Sequence, residues 1–352
     1  MKEFIKYPKI GQYRNAVKII RDWTHYQGQD EDGNPIIDES IEKPVLRATG
    51  TVKLHGTNAG VVYDLESDEI YAQSRTRVIT VESDNAGFAF FVESNKDNLK
   101  KHLKKVLDIA NSRSAAKMIN ESFQEPQEKT IAVFGEWCGG NIQKGVALAE
   151  LDKMFVVFDV KIGEKFVNNS DLAHILEDLP EYIKSAVHYK TYHMDIDFNN
   201  PEQHTNLLVE ITNDVENECP VAKEFGISGI GEGVVWKVNY NGEILRFKVK
   251  GQKHSSSKVK KLAQVDPEKL KSIEQFVDYA VTENRLKQGI EQVFTANNRE
   301  IENKGIADFV KWVKQDIFSE EKDVMVESSL EPKDVMKQIS QKSVDWLKKE
   351  YL

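Results

Sequence analysis

Apolar positions recur with a period of two between residues 46 and 80. The stretches LRATGTVKLHG, AGVVYDL and EIYAQSRT carry β-branched or alternating side chains with turn residues between them, and predict strands. The period lengthens to that of a helix over SNKDNLKKHLKKVLDIANSR (94–113). There Leu99, Leu103, Val106, Leu107 and Ala110 share one face, lysines cover the other, and Ser94 or Asn95 is the cap. Strand character returns at TIAVFGEW (130–137) and MFVVFDVKI (154–162), the latter reading as a buried strand. Helical patterns are predicted around 170–186 and 201–217. EGVVWKVNYNGEILRFKVK (232–250) predicts a hairpin turning on Asn241-Gly242. Residues 1–45 mix short helical and loop signals, with a turn at QDEDGNP (29–35). From Asp266-Pro267-Glu268, a helix start with proline at the first position, the pattern stays helical to Leu352. This change of character predicts a domain boundary near 255–266.

Composition narrows the class. The 352 residues are 40% hydrophobic and 30% charged, an ordinary globular balance with enough apolar residues for a sizeable core. The N-terminus mixes charges into every few residues, unlike a signal peptide, and no apolar run approaches the roughly 18 residues of a membrane span. Two cysteines, Cys138 and Cys219, give neither a disulfide framework nor zinc spacing, so a reducing cytoplasm is expected. The net charge of −9 argues against indiscriminate nucleic-acid binding. One window departs from it: RFKVKGQKHSSSKVKK (246–261) holds seven Lys or Arg and no acid.

Several charged residues sit where a half-buried strand gives them no ordinary use. In TVKLHGTN (51–58), Val52 and Leu54 point one way and Lys53 and His55 the other. Taken alone, Lys53 is a lysine on a solvated strand face. In the 246–250 segment Phe247 and Val249 face one side, and Arg246, Lys248 and Lys250 the other. Three cations on one strand face repel unless water or an anion lies there, and a polyphosphate is a natural guest. Glu232 follows the Gly-rich turn ISGIGEG, where backbone can approach a ligand closely. Glu136 ends an apolar strand. Arg75 lies in SRT, and Phe158-Asp159 inside the next β-run.

Taken in order, KLHGTN, Arg75, VFGEWCGGNIQKGV (133–146), Phe158-Asp159, EGVVWK (232–237) and KVK (248–250) resemble the motifs of the covalent nucleotidyltransferases. The chain is most similar to the phage RNA ligase 2-like family, whose nucleotidyl-lysine motif reads K-x-H-G-T-N. DNA ligases and capping enzymes usually carry Asp where this chain has His55. Two departures are Trp-Cys after Glu136 and Val52 before the lysine, where an acidic residue is usual. The resemblance implies an α+β class: an antiparallel-sheet nucleotidyltransferase domain with an ATP-grasp-like ligase core over 1–258, then a small all-α domain over 259–352 that engages RNA.

It also implies roles. ATP and Mg²⁺, or Mn²⁺ in its place, are the cofactors. The substrate is RNA with 5′-phosphate and 3′-OH ends, the protein a monomer, and the setting RNA repair, in a host cytoplasm if phage-encoded. Lys53 attacks the α-phosphate and carries AMP. Because a free lysine has a pKa near ~10.4, neighbouring cations such as Lys248 and Lys250 are needed to favour its neutral form, and they neutralise the triphosphate as well. Glu232 contacts the metal or its waters, which matches the few protein carboxylates Mg²⁺ needs. Glu136 and Arg75 hold the ribose, Phe158 stacks on adenine with Val235 opposite, and Asn58 orders the site. Lys237 lies near the phosphates, and Val52 and Leu54 flank the nucleotide. Lys253, Lys258 and Lys260 are weaker candidates for RNA contact. The rival readings are a DNA ligase or capping enzyme and a catalytically silent RNA-binding relative. A P-loop or Rossmann binder lacks its motif here.

Overall fold

The computed structural model describes residues 2–118, 130–177, 179–180, 182–251, 273–295 and 299–352. In chain order the strands are β1 (Gly11–Gln12), β2 (Tyr26–Gln29), β3 (Pro35–Ile37), β4 (Val45–Val52), β5 (Thr57–Asp64), β6 (Glu69–Ser74) and β7 (Val78–Ile79). They continue with β8 (Thr130–Cys138), β9 (Met154–Ile162), β10 (Lys165–Phe166), β11 (Ile183–Ser185), β12 (Thr191–Asp197), β13 (Gly233–Tyr240) and β14 (Glu243–Lys250). The α-helices among the described residues are α1 (Tyr13–His25), α2 (Phe88–Ser94), α3 (Lys96–Met118), α4 (Asn169–Ile175), α5 (Thr205–Asn217) and α6 (Pro220–Glu224). A C-terminal group follows: α7 (Ile273–Ala280), α8 (Glu283–Val293), α9 (Ile306–Glu320), α10 (Lys322–Glu327) and α11 (Pro332–Tyr351). The class is therefore mixed α+β with a helical C-terminal region. No described helix is long and apolar enough to cross a membrane.

Two sheets make the body. One runs β1-β14-β13-β4-β12; the other runs β10-β9-β8-β5-β6-β7, with β11 beside β9. Pairing is antiparallel apart from the short β1–β14 and β11–β9 contacts. The strand period explains the packing. On β13 and β14, Val234, Trp236, Phe247 and Val249 are buried in a core shared with α1 and α5, so Val235, Lys237, Arg246, Lys248 and Lys250 face the opposite side. That opposite face meets the second sheet, where Phe158 packs. The chain passes from the first sheet to the second between β4 and β5, at Lys53-Leu54-His55-Gly56.

The predicted strands at 46–80, 130–137 and 154–162 form, as does the hairpin at 232–250. The helix predicted over 94–113 forms as α3 from Lys96, whereas Ser94 is the last residue of α2 and Asn95 lies between the two helices. In the hairpin turn Asn241 and Gly242 both have positive φ, 51° and 80°. The turn at 29–35 joins β2 to β3 and is held by Asp30, which accepts from the Asn34 backbone at 2.8 Å. The helix expected over 170–186 is a correction: α4 ends at Ile175, and Ile183–Ser185 pairs with β9 instead. Pro180 lies between and cannot continue a helix hydrogen-bond ladder. The strand β12 was not predicted, although Met194 and Ile196 alternate inward along it. The Asp266-Pro267 helix start and the 255–266 boundary lie outside the described residues.

Candidate active site

Lys53 stands where the chain leaves β4. Its neighbours Val52 and Leu54 are core residues, 4% and 5% exposed, so Lys53 and His55 are turned to the cleft between the sheets. Any nucleotide contact from Val52 or Leu54 must come from the backbone. The Lys53 amide donates to the Gly233 carbonyl at 2.8 Å, tying the crossover to the start of β13. Gly56 is required by space: a Cβ there would lie 2.4 Å from the Trp137 carbonyl oxygen. This close approach lets the Gly56 amide donate to Glu136 Oε1 at 3.0 Å. Asn58 is the register partner of Glu136 across β5 and β8.

Glu232 is the hub. It is 2% exposed, and its Oε2 accepts from Lys53 Nζ at 2.6 Å and lies 2.9 Å from His55 Nδ1. Its Oε1 meets Lys250 Nζ at 2.8 Å. Burial alone favours a neutral carboxyl, yet Lys250, Lys53 and His55 hold Glu232 well below the usual carboxylate range. Burial also opposes charge on His55, but hydrogen bonds to Glu232 and Glu291 raise it to about 9. Glu136, half-buried, is pushed up to about 7 by desolvation against the pull of Lys53 and His55. Stripping any partner from a buried hub of this kind typically costs about 3–5 kcal/mol, because an uncompensated charge remains.

The cations predicted on one face of β14 are on one face, and each meets a different carboxylate. Arg246 Nε lies 2.9 Å from Asp159, Lys248 Nζ 3.0 Å from Glu320, and Lys250 pairs with Glu232. Burial lowers Lys248, partly offset by Glu320. Lys237 also faces the cleft, but at its deep end. Its ammonium donates to the Phe158 carbonyl at 2.7 Å and Asp159 Oδ1 at 2.9 Å, so here it braces one sheet against the other. Tyr7, from the N-terminal segment, donates to Asp159 at 2.6 Å. Phe158 is the extra residue of a β-bulge: Phe134 pairs with Asp159 and Gly135 with Val157, which leaves Phe158 out of the ladder. Half-buried, it packs on the Tyr7 ring at 5.2 Å. Arg75 is exposed, over the Tyr7 ring at 5.8 Å and near the Pro8 carbonyl, at the rim of this wall.

Thus Lys53, Glu136, Glu232, Lys248 and Lys250 come together around one crossover, while Phe158, Val235 and Lys237 line the facing walls. Lys253, Lys258 and Lys260 lie outside the described residues. Two participants were missed. Glu320, at the end of α9, contacts Lys248, and Glu291 on α8 faces His55 Nε2 at 3.6 Å. Glu320 is one of several acids in SEEKD, and nothing local distinguishes it.

The arrangement offers a buried anion hub, a cluster of ammonium groups and an aromatic wall, which suits a phosphate-bearing ligand with a flat apolar part. No curated protein matches the chain. Among solved structures it resembles an RNA ligase of Naegleria gruberi with pyrophosphate, at 16% identity and a TM-score of 0.43, covering 71% of this chain and 57% of that one. A mutant of that ligase with ATP and manganese gives 15% identity and a TM-score of 0.44, covering 72% of this chain and 58% of that one. The chain thus spans well under two thirds of the ligase it resembles. The RNA ligase family model matches residues 47–250, more than half of the chain, from β4 to the last residue of β14. This chain belongs to the RNA ligase family.

Proposed function

We propose that this chain is an ATP-dependent RNA ligase acting through a lysyl-AMP intermediate. The observation that carries the reading is the placement of Lys53 on the buried Glu232, beside Lys250 and within a cleft whose far wall presents Phe158. Three cations, Lys53, His55 and Lys250, contact one buried carboxylate, Glu232, and Lys248 follows on the same face of β14. The cluster of ammonium groups suits a triphosphate, and electrostatic stabilisation is the main lever in phosphoryl transfer.

In this reading the Lys53 amine, released from Glu232 and unprotonated, attacks the α-phosphorus of ATP, and pyrophosphate leaves. Lys248 and Lys250 neutralise the phosphates. AMP then passes to an RNA 5′-phosphate, and a 3′-OH attacks that activated end and releases AMP. Phe158 and Val235 hold adenine from two sides, with Glu136 and Arg75 at the ribose and Asn58 ordering the site. Lys237 acts by bracing Asp159 and Phe158, a role that fits its hydrogen bonds better than direct phosphate contact.

A divalent ion, Mg²⁺ or Mn²⁺, fits the donor set in a limited way. Among the described residues no group of three or more His, Cys, Asp or Glu could hold a metal. Glu232 would therefore be a single protein carboxylate, the rest of the shell being phosphate oxygens and water, a pattern typical of Mg²⁺. The ion would supply charge neutralisation at the triphosphate. Neutralising Lys53 would remove one of the two partners of Glu232 Oε2, the other being His55 Nδ1 at 2.9 Å. On the helical domain, the groove lined by Lys314, Lys333 and Lys337 is a candidate seat for RNA phosphates.

The test is self-labelling. With α-labelled ATP and Mg²⁺ the native chain is expected to retain label after denaturation, and Lys53→Ala to retain none. Because a chain purified as its AMP adduct would also stay blank, the native protein is first treated with pyrophosphate. A blank after that treatment removes the proposal.

A further inference from the structure

The helical domain reaches into the site with carboxylates, and this is the reverse of what a phosphate-binding cleft would recruit. Its junction of α9 and α10 is anchored on α1: the Arg14 guanidinium meets Glu321 at 2.8 Å and Asp323 at 2.9 Å, and Asn15 donates to Asp323 at 2.7 Å. Glu321 is fully buried and also meets Arg285 at 2.9 Å. The preceding residue, Glu320, points the other way. Its carboxylate lies 3.0 Å from Lys248 and 3.7 Å from Lys9, and the two lysines with burial opposing them hold it down to about 2. On α8, Glu291 faces His55, and Gln292 donates to Gln143 of the 133–146 stretch at 3.5 Å.

The two contacts differ in kind. The Arg14 anchor is made by residues with no place at the nucleotide. The Glu320 contact is made on a lysine that the proposed reaction needs for phosphate. A carboxylate oxygen and a phosphate oxygen ask the same thing of an ammonium, a charge-assisted hydrogen bond, and although Nζ carries three N–H donors, the two anions repel each other across it and so compete. There is also room for the carboxylate to move. A cavity of about 510 Å³ lies between the domains beside it, lined by Glu320 and by the cations Lys9, Lys18, Arg246 and Lys322.

Resting on the ligase reading above, we propose that Glu320 is a surrogate phosphate: it holds Lys248 in the nucleotide-free chain and is displaced when a polyphosphate binds. Nucleotide binding then loosens the hold of the helical domain on the cleft while the Arg14 anchor keeps it attached. The domain is closed over an empty site and released over a filled one, which couples ATP capture to exposure of the face where RNA must enter.

The experiment is equilibrium binding of ATP and of adenosine to the full chain and to Glu320→Gln and Glu320→Asp. Removing a competitor about as strong as one charge-assisted hydrogen bond should tighten ATP binding roughly tenfold in Glu320→Gln. Glu320→Asp should lie between the two. Adenosine, which has no phosphate to compete, should bind all three alike. Equal ATP affinity in the native chain and Glu320→Gln overturns the proposal and leaves the ligase reading standing, as does an equal gain for adenosine, which would mark a general disturbance. Failure of every variant to bind ATP overturns the ligase reading and this inference with it.

Discussion

At the scale of single residues, close approach and burial decide what the site can be. Gly56 exists because the entry to β5 passes under the end of β8; its absent side chain brings a backbone amide onto Glu136. Gly56→Ala would set a Cβ against the Trp137 carbonyl and Cys138, and overpacking of this sort costs about 1–3 kcal/mol. The expected result is a chain less stable by that amount in urea denaturation, with weakened nucleotide binding. Stability equal to the native chain would contradict the packing argument. The strand-face residues were legible here. A period of two assigns Val52, Leu54, Phe247 and Val249 to the core and leaves Lys53, Lys248 and Lys250 opposite, and the burial pattern agrees. What periodicity could not assign is partner choice. Lys237 shares that face, but only the fold reveals that Asp159 and the Phe158 carbonyl engage it.

At the scale of elements, the β13–β14 hairpin carries much of the candidate site. It presents Glu232 at one end and four cations, Lys237, Arg246, Lys248 and Lys250, along one face, and its register depends on the Asn241-Gly242 turn. Gly242 has φ of 80°, a conformation that costs a residue with a side chain about 1 kcal/mol or more. Gly242→Val should lower stability by that order in denaturant while leaving the distant site able to bind nucleotide; unchanged stability would mean the turn does not set the register. Turn chemistry made this hairpin readable. The 170–186 segment misled because a helical composition there is interrupted by Pro180. The strand β12 was hidden because its outward residues, such as His193 and Asp195, dilute the apolar alternation that Met194 and Ile196 carry.

At the scale of the whole molecule, the contact between the helical domain and the cleft is electrostatic, and that makes it sensitive to acid. Glu320 sits at about 2, below the ordinary glutamate value of 4.5, so its folded form binds a proton less readily than its unfolded form. Its contribution is then complete above about 4.5 and is lost as pH falls through about 2. In denaturation between pH 6 and about 3, the native chain should exceed Glu320→Gln in stability at the upper end, and the gap should narrow as pH falls. A gap that is constant or widens would contradict the pairing. No sequence pattern reveals this interface. Lys248 and Glu320 are far apart along the chain, and a charge pair of that separation leaves no periodic trace. The family motifs made the cleft recognisable, whereas the C-terminal region that contacts it could be read only as helical.

The proposed reaction turns on one atom, Lys53 Nζ. The most direct measurement is tandem mass spectrometry of the chain after incubation with ATP and Mg²⁺, with fragments kept away from acid to preserve a phosphorus–nitrogen bond. The expected result is an AMP adduct confined to the peptide carrying KLHGTN and assigned to Lys53 by its fragments. An adduct on another residue, or no adduct in a preparation first cleared with pyrophosphate, would contradict it.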